Sequence, residues 1–179
     1  MTATPSNKPN PLAAKPGTQG IDPRGPRFGA TITLILLAIE LVLLLSGKPV
    51  TAADGVAQIA TNPSIWLLTF IVVIFAIGAF AGIQKHPYGA IFKAVIRPRL
   101  QAPTELEDPK PPTFAQLIGF IISAIGLVFA LLGITTGAVI AVAFAFVAAF
   151  LNSVFAFCLG CQIYVLLVRA GIVGRGSAA

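Results

Sequence analysis

Four apolar blocks decide what this chain can become: Gly29–Ser46, Ile65–Ile83, Phe114–Leu132 and Gly137–Val168. Each is long enough to cross a hydrocarbon core of roughly 30 Å, which takes about 20 helical residues. Only 10% of the 179 residues are charged and 56% are hydrophobic, whereas a soluble domain is about 25% charged. So few charges cannot coat a globular surface, so most of the exterior must face lipid. The period-two alternation of an outer-membrane barrel is missing, which leaves helices as the backbone that satisfies its own hydrogen bonds in lipid. The expected fold is an all-α integral membrane protein: a four-transmembrane-helix bundle with spans at about 29–46, 64–84, 114–133 and 137–158, the last extending to 168.

The net charge of +6 does not indicate a nucleic-acid partner, because the basic residues collect beside the apolar blocks. Residues 1–28 carry Lys8, Lys15, Arg24 and Arg27; the segment 84–113 carries Lys85, Lys93, Arg97, Arg99 and Lys110; Arg169 and Arg175 follow the last block. The connection 47–64 has Lys48 balanced by Asp54, and 133–136 has no charge. Charge-rich and charge-poor segments alternate, and the positive-inside rule then puts both termini in the cytoplasm of a multi-pass protein of the plasma membrane. The proline-rich residues 1–28 read as a disordered tail, and 170–179 as a flexible one. Nothing in them resembles a signal peptide, so the first span is expected to remain as an anchor.

The cytoplasmic loop has a pattern of its own. In "HPYGAIFKAVIRPRL" (86–100), Ile91, Phe92, Val95 and Ile96 share one helical face, with Lys93 and Arg97 on the other. That predicts a basic amphipathic helix over about 87–97, lying on lipid headgroups. Lys85, Lys93, Arg97, Arg99 and Arg169 together form a candidate surface for the membrane or for an acidic partner protein.

Small residues mark the helix seams. Gly119, Ser123, Gly126, Ala130 and Gly133 line one face of the third span, and Gly137, Ala141, Ala145 and Ala148 answer from the fourth block. Close backbone approach over small residues holds helices together in lipid, and "GITTG" (133–137) is short enough for a tight turn. Gly78 and Gly82 suggest a similar seam on the second span.

That hairpin sets the depth of the two cysteines, Cys158 and Cys161. Counted from the turn at about 1.5 Å per residue, Ala156 comes level with Phe114, at the inner interface. The pair is then expected at or just beyond the cytoplasmic boundary. The fourth block, at about 48 Å, is too long for one straight span, so its last dozen residues must tilt or bend. A rival arrangement breaks it at Asn152–Ser153. On a helix, positions i and i+3 share a face, so the sulfurs could form a disulfide. Thiol oxidoreductases place Cys-x-x-Cys at a helix start, where the dipole activates the first thiol. Here the pair falls late in the block, and that activation is absent unless Gly160 or Asn152 interrupts the helix. Structural zinc takes four ligands, and the chain offers the two cysteines and His86, so no metal and no resident cofactor are expected. The bland reading is that both cysteines are small buried residues.

Glu40, in "LAIELVLLL", lies about 18 Å from the inner end of the first span. Ionisable groups at such depth are costly and face the bundle interior; Thr69 is the polar neighbour expected at its level. A proton-relay or quinone role is the functional alternative to a buried hydrogen bond.

The segments "IDPRGPRFGA", "HPYGAIFKAVIRPRL", "ELEDPKPPTFAQLIGF" and "AAFLNSVFAFCLGCQIY" together resemble a family of small bacterial, mostly actinobacterial, membrane proteins described as domain of unknown function 4395. The resemblance runs from about Ile21 to Arg169. It implies four spans and a Cys-x-x-Cys near the end, and no mechanism. Genes of that family often lie near thioredoxin-like or sulfurtransferase genes, which implies thiol or sulfur chemistry. A looser similarity is to membrane thiol oxidoreductases of the vitamin K epoxide reductase type. Those use a second cysteine pair, which this chain lacks, and they serve the outer compartment.

Three functions fit the sequence. The first is a membrane-anchored thiol-redox or sulfur-relay protein, with Cys158 and Cys161 serving a cytoplasmic thioredoxin-like protein or sulfurtransferase. The second is a scaffold or accessory subunit, acting as a homo-oligomer or in a larger membrane complex. The third is a quinone-linked thiol oxidoreductase using Glu40.

Overall fold

The computed structural model describes residues 11–14, 17–47 and 56–173. Lys8, Lys15, Lys48, Asp54 and Arg175 of the charge argument lie outside these residues. The described residues form helices joined by short turns. α1 spans Arg24–Ser46, and a short α2, Val56–Thr61, precedes α3, Pro63–Ala76, which continues through a π turn to Ala81. α4, Pro87–Ile91, runs on through wider and tighter turns to Arg99; α5 is Lys110–Leu131, α6 Thr135–Phe155 and α7 Leu159–Arg169. Four of these, α1, the α3 helix to Ala81, α5 and α6, are long and apolar enough to cross a membrane.

Local chemistry explains the boundaries. Pro63 sits in the first turn of α3 behind Asn62, whose side chain accepts the Ser64 N–H. Pro111 and Pro112 occupy the first turn of α5, where a missing N–H costs nothing. α5 thus begins at Lys110, before the apolar run that marks it in the sequence. Gly82, at φ 87°, stops the second span. Its position opens onto empty space, so it ends a helix and does not form the seam expected of it.

α1 packs on α6, α6 on α5, α5 on α3 and α3 back on α1, closing a four-membered ring. The ring is tight in its charge-poor half. There Leu37, Leu68, Ile71, Ala138 and Val142 are buried, and the position of a Cβ on Gly126 falls 3.3 Å from Ala141. Side chains such as Val42, Trp66, Phe80 and Phe144 stand outward and exposed, the pattern of a lipid-facing surface.

Three expectations are corrected. The fourth block, expected to run on to 168 with a tilt or bend, is broken, as in the rival arrangement but at a later point. α6 ends at Phe155, Ala156 adopts a left-handed conformation (φ 56°, ψ 25°), and α7 starts afresh at Leu159. The break therefore falls beyond Asn152–Ser153, and α7 turns back to pack on α5. Secondly, described residues before 29 take up defined structure. α1 begins at Arg24, and Leu12, Ala14 and Ile21 pair with the loop before α5: Ala14 N–H donates to Leu106 O, Asp108 N–H to Leu12 O, and Ile21 and Glu107 exchange backbone bonds of 2.9 Å. Thirdly, the loop helix does not present one apolar face. Phe92 is buried against Phe28 and Gly25 of α1, while Ile91 and Val95 are exposed.

Candidate functional site

The break after α6 remakes the cysteine pair. Cys158 is extended (φ −84°, ψ 98°) and caps α7, with its Sγ accepting the Cys161 N–H at 3.3 Å. A side chain at that position normally satisfies one of the free N–H groups of the first turn, and here sulfur does so. The two sulfurs lie at disulfide-bonding distance, with Cα atoms 5.2 Å apart, inside the usual range for a bridge. Cys158 is half-buried, whereas Cys161 is 4% exposed. The motif thus opens a helix, against the expectation that it falls late in one.

α7 is moored through small residues. Gly160 meets Ala115 on the first turns of α5, and Tyr164 packs its ring 5.6 Å from Phe114. The sulfurs are therefore level with the charge-rich end of the bundle.

That half of the ring is hollow. A cavity of about 280 Å³ extends between the helices, with Cys158 and Cys161 on its wall. Small side chains leave the space: Gly29 and Ala30 from α1, Ala115 from α5, Ala148 and Ala149 from α6. The stripe read as a single seam thus has two roles. Gly126, Ala130, Ala138 and Ala141 carry helix contact, and so does Gly119, where a Cβ would fall 2.4 Å from the Phe75 ring, while Ala148 borders the cavity.

Arg27, Thr33, Glu107, Asn152 and Gln162 line the cavity beside His86 and Gln116. His86 is 4% exposed and caps α4, its Nδ1 accepting the Tyr88 N–H at 3.2 Å. The acceptor role of Nδ1 leaves the proton of the neutral ring on Nε2. Burial holds the imidazole below its ordinary value, with the Gln116 carboxamide pulling the other way. Yet Nε2 and Gln116 Oε1 are both buried without a well-formed hydrogen bond. The two side chains meet over Gly78, where a Cβ would fall 2.7 Å from each. Sequence reading weighed His86 only as a metal ligand and missed Gln116. The signal was present: Gln116, Gly119 and Ser123 share one face of α5. Among the described residues no cluster of metal-binding side chains occurs.

Glu40 belongs elsewhere. It is fully buried in the charge-poor half and does not line this cavity. Its Oε1 accepts a 2.6 Å bond from the Ser64 hydroxyl, while Oε2 has no partner. The expected neighbour, Thr69, instead bonds back to Ile65 O.

The candidate docking cations are unequal. Lys85, Lys93, Arg99 and Arg169 are exposed, but Arg97 is committed: its Nε lies 2.9 Å from Asp22, which also pairs with Arg24 at 2.7 Å. The Arg24 hydrogen bond holds the Asp22 carboxyl below the usual carboxylate range. Glu107, packed beside the tail, is raised by burial, and Arg27 only partly offsets this.

No curated protein and no solved structure matches this chain. A family model does, over residues 21–169, which takes in the four helices long and apolar enough to cross a membrane, the loop helix, the cysteine pair and the cavity lining apart from Leu12. The chain belongs to the family described as Domain of unknown function (DUF4395).

Proposed function

We propose that this protein is a membrane-embedded dithiol–disulfide carrier whose Cys158–Cys161 pair exchanges electrons with a thioredoxin-like protein at the cytoplasmic face. The single observation that carries the reading is the asymmetry of the pair. The half-buried sulfur caps a helix and accepts an N–H bond, and the buried one stands behind it. A helix start favours negative charge on such a sulfur. In the exchange, a partner thiolate attacks Cys158 Sγ and Cys161 leaves as a thiolate. A second partner thiol then displaces Cys158, so that two electrons enter the pair and the partner becomes a disulfide. Exposed Lys93 and Arg99 offer an acidic partner its first contact.

Cys161→Ser tests the reading, because it removes the resolving sulfur. Incubated in inside-out vesicles with a cytosolic dithiol protein, this variant is expected to trap a mixed disulfide at Cys158, and Cys158→Ser to trap none. No adduct in either variant, with assembly intact, would leave the scaffold reading in its place.

A further inference from the structure

α1 and α5 stand at opposite corners of the ring, for each packs on α3 and on α6. Yet the segments that lead into them are joined backbone to backbone. Ile21, three residues before α1, exchanges bonds of 2.9 Å with Glu107, three residues before α5. A link between opposite corners has to cross the mouth of the ring, here at its hollow, charge-rich end. The cavity wall agrees: Leu12, Pro23 and Glu107, from the two joined segments, line the same cavity as Cys158 and Cys161.

The crossing is held by polar contacts. Beside the Ile21–Glu107 pair, Ala14 N–H donates to Leu106 O at 2.9 Å and Asp108 N–H to Leu12 O at 2.8 Å. Gly20 lets the strands close, since an ideal Cβ there would stand 2.6 Å from Leu106 Cβ and 2.9 Å from Ala14 Cβ. Asp22 fastens the end, paired with Arg24 at 2.7 Å and with Arg97 of the loop at 2.9 Å. Arg24 also donates to Gln101 O at 2.9 Å. None of the described residues among 11–14 and 17–23 is buried. A segment held by exposed hydrogen bonds, with few buried apolar contacts, opens locally while the core stays folded. The core of this bundle lies in the other half, around Leu37, Leu68 and Val142, so the crossing can part without it.

We infer that Gly20–Asp22 and Leu106–Asp108 form a latch across the mouth of the cysteine cavity: closed, it keeps water-borne reactants from Cys158, and open, it admits them. The latch governs access to the sulfur whatever the reactant, so it goes beyond the carrier reading. Alkylation tests the latch and mixed-disulfide trapping tests the carrier, so either can fail alone.

The test uses the full chain in nanodiscs with the pair reduced. The probe is a sulfonated maleimide, and mass analysis identifies the labelled cysteine. Gly20→Ala drives a wedge into the crossing. Ile21→Pro removes the N–H given to Glu107. Asp22→Asn removes both ion pairs. Each is expected to speed labelling of Cys158 at least fivefold, with Cys161 still protected. Hydrogen exchange at the Glu107 amide reads the latch directly: slow in the wild type and at least tenfold faster in the variants. Ser64→Ala loosens the opposite half of the bundle and is expected to leave Cys158 labelling within twofold of wild type. Labelling within twofold of wild type in all three latch variants would overturn the inference. So would unprotected exchange at Glu107 in the wild type, or a Ser64→Ala effect as large as that of the latch variants.

Discussion

Gly160 is where the cysteine helix touches the bundle, and Gly160→Ala measures how firmly. An ideal Cβ at this position stands 2.6 Å from both Cα and Cβ of Ala115, about 0.8 Å short of ordinary contact. The Cα is backbone, so no rotamer change relieves the clash and α7 must retreat from α5. Overpacking of this kind costs about 1–3 kcal/mol, which lowers the unfolding midpoint by about 2–12 °C in a chain of this size. The retreat also uncovers Cys161, now 4% exposed. Two assays follow it: thermal unfolding in detergent, and the rate of Cys161 alkylation in the reduced protein. Pairing the change with Ala115→Gly removes one of the two clashing atoms and is expected to recover only part of the loss. Gly89→Ala is the control, since its nearest neighbour, Ile83 O, is 3.6 Å away. A Gly160→Ala protein as stable as wild type, with Cys161 still protected, would refute the packing of α7 on α5 and the burial of the second sulfur.

Ser64→Ala removes the bond to Glu40 Oε1 and is expected to destabilise by about 1–3 kcal/mol, read by the same thermal assay. Glu40→Gln keeps an acceptor for Ser64 and is expected to cost less; the reverse order would count against the buried hydrogen bond. The two acids near the N-terminal segment should respond to pH with opposite signs. Asp22 is held below its reference value of 3.8, so its stabilisation is present at neutral pH and lost as pH falls through the lowered value. The loss of stability from Asp22→Asn should therefore shrink in acid. Glu107 is raised above 4.5, so the folded form binds the proton more readily and ionisation weakens the structure at neutral pH. Glu107→Gln should protect the chain around Ile21 from proteolysis at pH 7, with an advantage that fades as pH falls toward 4.5.

The spans were legible because bilayer thickness imposes a length and lipid excludes charge, and blocks such as Ile65–Ile83 satisfy both conditions. The break before Cys158 was not. "VFAFCLGC" has no proline, and its glycine lies inside α7; the left-handed residue is Ala156, which carries no sequence sign of that role. Ser64 lost to Thr69 as the partner of Glu40 because matching depth does not settle which way each helix is rotated. The pairing of Ala13 and Ile21 with Glu107 joins segments far apart in the chain, and a proline-rich composition says nothing about such contacts. Gln116 was hidden by its surroundings: one amide in a helix of small and apolar residues matters only once a hollow beside it is known.

α7 is joined by the chain to α6 but leans on α5, and that mismatch has a mechanical result. A lever moves what it rests on. Any shift in the seat of Cys161 when the sulfur bridge opens or closes is delivered through Gly160 to Ala115, and the next residue along that rod is Gln116. The sulfurs and the side chain of Gln116 on the cavity wall are thus joined through a single glycine–alanine contact, with no loop between them.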